Sequence, residues 1–182
     1  MTTDVNSPDE KEQERLARQQ GEAYGASYDR LMAEDPHAET EVDDYRVTAS
    51  FEPAEGMYEL KDDGTFHWMT PSDGQNQHFE VIVRDRRDGR FLPNLDVRMR
   101  LLDERDRVVA DTEVPFIWHP FVLHYGVDGA IPAEGDYTAE VAIPAPRWHR
   151  HDEVRGRRYA KDVTVRLGPV HLTPGTKPHG PE

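Results

Sequence analysis

The chain has 182 residues, enough for one domain with extensions, and its 36 % hydrophobic content permits a sizeable but not lavish core. A formal net charge of −14 argues against a nucleic-acid partner, because phosphate binding needs an excess of Lys and Arg. With no cysteine there are no disulfides, thiolate ligands or thiol nucleophiles, and no apolar run approaches the ~18 residues of a membrane span.

Residues 1–44 read as an acidic extension, helical or disordered. Ser7-Pro8-Asp9-Glu10 has the form of a capping box with Pro at the first helical position. Beyond it Leu16, Ala23, Ser27 and Leu31 align weakly on one side, and Gly21 and Gly25 weaken any helix there. Met1 to Glu22 holds neither a hydrophobic signal segment nor a lipid-anchor Cys, which by sequence alone predicts a cytoplasmic chain.

From Tyr45 the pattern turns to period two. Val47, Ala49 and Phe51 alternate with polar residues, as do Phe79, Val81 and Val83, then Val97, Met99 and Leu101. Tyr137, Ala139, Val141 and Ile143 follow suit, and so do Val163, Val165 and Leu167. Such alternation marks strands with one buried and one wet face. Asp62-Asp63-Gly64, Arg87-Asp88-Gly89, Glu104-Arg105-Asp106 and Glu134-Gly135-Asp136 supply turns between them. About seven short strands punctuated in this way predict an all-β, antiparallel β-sandwich over residues 45–172, with a small barrel as the competing architecture. Residues 173–182, rich in Pro and Gly, read as a disordered tail. The 18 Arg against 4 Lys, with 36 carboxylates, suggest a halophilic, hydrated surface.

Five of the nine histidines fall in three short segments. His78 and Glu80 flank Phe79 at a strand start and therefore share one face. His119 and His124 lie in Pro115–Gly126, a stretch that also holds Phe116, Trp118, Phe121 and Tyr125 and reads as a loop packed down by its aromatics. His149 and His151 sit between two strands, with Asp152 placed to orient His151. Neutral imidazoles gathered by a rigid fold suit Cu, Fe or Zn. Each is equally well a core or surface imidazole when taken alone. His67 is a weaker candidate, and Met69 beside it is a soft ligand if copper is bound. There is no His-Glu-x-x-His helix, Gly-x-Ser-x-Gly elbow, phosphate loop or dinucleotide fingerprint, so the sequence disfavours an enzyme.

The order of these segments resembles the periplasmic high-affinity iron-transport protein family. These are Cu/Fe-binding proteins found beside iron permeases, and they include a treponemal lactoferrin-binding lipoprotein. The resemblance runs from about His78 to Val170. It is carried by His78-Phe79-Glu80, Phe91-Leu92-Pro93-Asn94-Leu95, His124-Tyr125-Gly126, Gly135-Asp136-Tyr137 through Ile143-Pro144, and Arg150-His151-Asp152 with Gly156. It implies an immunoglobulin-like sandwich with a Cu/Fe site of His78, Glu80, His124 and His151. It also implies an exported, homodimeric protein whose site lies near the dimer interface, with an iron permease as partner. Where the family carries Met-Pro-Met, this chain has Trp118-His119-Pro120, so His119 is expected to substitute as a harder nitrogen ligand and shift preference away from Cu(I).

The expected function is thus non-catalytic binding of a divalent ion, Cu2+ or Fe2+ with Zn2+ also accommodated, in iron uptake. The alternative is a metal-free β-sandwich interaction module that binds a partner through its aromatic loop. A metal-dependent oxidase or hydrolase is a distant third.

Overall fold

The computed structural model describes residues 10–151, 153 and 155–177. Helix α1 (Glu10–Met32) is followed by β1 (His37–Val42), β2 (Tyr45–Glu52), β3 (Met57–Leu60), β4 (Phe66–Met69) and β5 (Gln77–Asp85). Then come β6 (Arg98–Leu102), β7 (Val108–Glu113), β8 (Phe116–Trp118), β9 (Leu123–Gly129), β10 (Gly135–Ile143) and β11 (Val163–Leu172). Two antiparallel sheets form a β-sandwich, one ordered β1-β2-β5-β9-β8 and the other β11-β10-β6-β7, with β3 and β4 as a separate hairpin.

The five alternating runs of the sequence fall in or beside β2, β5, β6, β10 and β11, and their apolar members meet between the sheets. Phe51, Phe79, Met99, Leu101 and Ile143 are each at most 1 % exposed. Burial of such a side chain contributes about 1.5–3 kcal/mol. In β10 the alternate residues stay partly wet, whereas all nine residues of β5 are buried. Part of the difference is α1, whose Tyr28 and Met32 pack over Ile82 and Arg84.

Residues 1–44 are therefore more than an extension. The described part contains one continuous 23-residue helix and β1, which pairs with β2 from His37↔Ser50 to Val42↔Tyr45. The buried stripe of α1 is Tyr24, Tyr28, Leu31 and Met32, set against Ile82, Phe91, Val122 and Leu123, while Leu16 is half exposed. The Tyr24 and Phe91 rings meet edge-on at 5.1 Å. Gly21 is not a weak point. A Cβ there would lie 1.7 Å from the Asp88 carbonyl oxygen, so glycine is what lets the helix reach the turn after β5. The capping-box residues Ser7 to Asp9 lie outside the described residues.

Two further expectations change. The chain end is held as far as Lys177: Gly175 N–H donates to Asn76, Lys177 N–H donates to Ala54, and Ala54 N–H donates to Gly175. Residues 178–182 lie outside the described residues. The segment Pro115–Gly126 is a hairpin of β8 and β9, not a packed-down loop. Trp118, in the edge strand β8, is 74 % exposed, and Phe121, in the turn between β8 and β9, is 63 % exposed.

Candidate metal centre

Strand alternation sends Phe79, Val81 and Val83 into the core and turns His78, Glu80, Ile82 and Arg84 to the other face, where α1 packs on Ile82 and Arg84. On the neighbouring strand Asp128 stands opposite His78 and Gly126 opposite Glu80, with His124 two residues before Gly126 on the same face. His78, Glu80 and His124 are 0, 8 and 5 % exposed. One ligand atom from each lies within 4.8 Å of the other two. His124 Nε2 is 3.3 Å and His78 Nε2 4.0 Å from the same Glu80 oxygen.

Each residue of His124-Tyr125-Gly126 has a separate task. His124 faces the cluster. Tyr125 faces the core, where its hydroxyl donates to the Leu92 carbonyl at 2.7 Å and accepts the Leu95 N–H at 3.0 Å. Gly126 leaves space, since a Cβ there would stand 2.7 Å from His78 Nε2. The His78 Nδ1–H donates to Asp128 at 2.8 Å, because a carboxylate can only accept. In the neutral ring that bond leaves Nε2 as a bare lone pair, facing the space that Gly126 keeps clear. Among the described residues, buried His78 Nε2 and His124 Nδ1 have no hydrogen-bond partner. An unsatisfied buried polar atom costs about 1–3 kcal/mol, a cost that a bound cation removes at His78. The residues fit such an ion: two imidazoles and a carboxylate suit Cu(II), Fe(II) or Zn(II), and carboxylate–imidazole support is the usual second layer of such sites.

Burial pushes Glu80 up to about 7, helped by the charges of Asp35 and Glu55 and opposed by His78. Burial alone would lower His78, but the Asp128 hydrogen bond and the charges of Glu80, Asp128 and Glu55 outweigh it and raise the ring above its usual value. Burial takes His124 down to about 4, with the His78 and His119 charges adding to the effect. Near neutral pH His124 is thus an unprotonated donor, while His78 and Glu80 compete for protons.

The cluster opens into a cleft of about 940 Å³ walled by Leu31 and Met32 of α1, Met57, Trp118 and Phe121. Its lining includes the Lys177 ammonium, which bridges Glu52 and Glu55. His119 lines the same cleft, with its ring centre 6.0 Å from that of His124. Its Nδ1 accepts the Phe121 N–H at 3.1 Å, which places the proton of the neutral ring on Nε2. His119 must give up that bond to ligate, so it stands beside the cluster without belonging to it. His151 is not in the cluster. It is exposed on a loop anchored elsewhere: Trp148 donates to the Asn94 carbonyl and Arg150 to the carbonyls of Pro146 and Arg158. Asp152 lies outside the described residues.

Sequence reasoning missed Asp128 and the α1 wall. Asp128 alternates with Gly126 and His124 along one face, a signal visible once β9 is known to run on to Gly129.

No protein-family model matches the chain, and no curated protein matches it. Solved structures do. FetP of uropathogenic Escherichia coli strain F11, as isolated after expression in the periplasm, matches with a TM-score of 0.57 and 17 % identity, covering 76 % of this chain and 97 % of its own. A copper-bound variant of that FetP gives 0.60 and 14 %, covering 81 and 98 %. Copper-reconstituted P19 of Campylobacter jejuni gives 0.60 and 15 %, covering 78 and 97 %. At such identities the likeness is one of fold, and this chain shares its β-sandwich with these copper-binding proteins.

Proposed function

We propose that this chain is a non-catalytic binding protein for a divalent metal ion, copper or iron, that serves iron uptake outside the cytoplasm. The observation that supports it most is the buried His78 Nε2 lone pair, oriented by Asp128 toward space that Gly126 keeps free, with Glu80 and His124 converging on it. His78, Glu80 and His124 are the donors at hand. His119 joins once its ring turns away from the Phe121 N–H. His151 joins only if a second copy presents it, so the homodimer belongs to this reading, as does delivery of the ion to an iron permease. The copper bound by FetP and P19 variants and the shared fold favour the same assignment.

Chelator-treated protein titrated with Cu(II), and anaerobically with Fe(II), should take up one ion per chain. The His78→Ala, His124→Ala double variant should take up none at that affinity. A folded double variant that still binds like the parent would remove the assignment.

The exposure of Trp118 and Phe121 favours a second reading, a partner-binding module in which the aromatic hairpin makes the contact. The two readings separate on metal content: that module needs no ion, and its partner binding would fall with Trp118→Ser while the histidines stay dispensable.

A further inference from the structure

The β3–β4 hairpin stands apart from both main sheets, and its two faces differ in chemistry. Its register pairs Met57 with Met69, Tyr58 with Trp68, Glu59 with His67 and Leu60 with Phe66. Alternation therefore gathers Met57, Met69, Glu59 and His67 on one face and the aromatics on the other. The aromatic face holds the hairpin together: Tyr58 meets Trp68 at 5.0 Å and Phe66 at 6.4 Å, both edge-on. The opposite face is free of that duty. Met69 is 48 % exposed, and His67 is exposed.

We propose that Met57, Met69 and His67 form a Cu(I) site at the mouth of the metal cleft, distinct from the buried cluster. Directly opposed residues in an antiparallel pair have Cβ atoms about 4.5–5.5 Å apart, within which two flexible thioethers can meet on one ion. His67 follows on the same face, two residues before Met69, close enough for its ring to complete a third donor. Glu59 is engaged by the Lys61 ammonium and plays no part. Two thioethers with an imidazole are a soft set that selects Cu(I), where the buried imidazole and carboxylate donors suit harder divalent ions. Two of the chain's five methionines face each other here, and Met57 also lines the cleft that holds Glu80 and His124. A soft ion on the hairpin would sit beside the inner donors without displacing them.

The test uses the full chain and Cu(I) alone, under anaerobic conditions, in competition with a bidentate Cu(I) chelator, with Ag(I) as a redox-inert check. The His78→Ala, His124→Ala variant should keep one Cu(I) or Ag(I) per chain and show sulfur scattering in X-ray absorption. The Met57→Leu, Met69→Leu variant conserves volume on an exposed hairpin. It should bind Cu(I) at least about tenfold more weakly, some 1.4 kcal/mol, while taking up Cu(II) like the parent. Unchanged Cu(I) affinity in the leucine variant would overturn the proposal. So would loss of all Cu(I) binding when only the buried histidines are removed, and neither result touches the Cu(II) assignment.

Discussion

The two halves of the outer face of β5 are built to opposite ends. At the far end of β5, Arg84 donates to Glu39 at 2.6 Å and lies 3.6 Å over the Tyr28 ring. The Tyr28 hydroxyl in turn bonds Thr48 at 2.7 Å and Glu39 at 2.9 Å. Three strands and α1 meet there, and of the buried side-chain atoms in this group only Arg84 Nε has no hydrogen-bond partner among the described residues. At the near end, His78 and Glu80 are buried as deeply, yet His78 Nε2 is left bare and a glycine keeps its approach open. Buried polar groups are ordinarily satisfied, so the contrast separates a bracket that holds α1 down from a place prepared for something else.

The largest effect should come from closing that place. Gly126→Ala puts a methyl group 2.7 Å from both His78 Nε2 and the Ile117 Cδ1 atom. Ile117 can move aside, whereas His78 is pinned by Asp128. Overpacking of this kind costs about 1–3 kcal/mol of stability, and metal affinity should fall about 100-fold or more in a competition titration. A variant that binds as the parent does would mean that the cleft beside Gly126 is not where the ion sits. The reverse pattern is expected at the bracket. Arg84→Met takes the cation from Tyr28 and the nearer of two from Glu39, which keeps Arg46 at 3.7 Å, and should lower stability by about 1.5–3 kcal/mol, read as a shift in urea midpoint at constant slope. Cu(II) stoichiometry should stay at the parental value. If it fell in parallel, the two halves would be one unit and the contrast would fail.

Much of the sandwich was legible because period-two alternation needs no tertiary information: Val47, Phe79, Met99, Val141 and Val165 all point inward as their spacing requires. The His78/Glu80 pair was legible for the same reason, since i and i+2 share a face wherever the strand goes. Asp128 was not, because its partner is 50 residues away and it stands beyond Gly126, where the aromatic segment ends in the sequence pattern. The docking of α1 was hidden in its chemistry. Tyr28 and Met32 carry the burial, and Tyr28 binds a face of Thr48, Glu39 and Arg84 that no helical hydropathy stripe would single out. His151 shows the converse limit. Its i, i+2 spacing from His149 says nothing about whether the loop folds back, and Trp148 and Arg150 hold that loop against Asn94, Pro146 and Arg158.

The smallest effect is the one that pH should reveal within the near half. An ion needs neutral imidazoles and an ionised carboxylate, so every proton resident on a donor competes with it. Exposed imidazoles would begin to compete near 6.5 and an exposed carboxylate only near 4.3, by about their ordinary values. Here burial reorders the sequence. With Glu80 up to about 7 and His78 raised, protons reach both donors as pH falls through 7, whereas His124, at about 4, stays free of them until far lower. Affinity should therefore fall as pH drops through about 7, more steeply than one exposed imidazole would give, because two donors take up protons. Calorimetry in two buffers of different ionisation enthalpy should find about one proton released per ion bound near pH 7. A level profile from pH 8 to 5.5 would show that His78 and Glu80 do not hold the ion, since His124 alone predicts no change over that span.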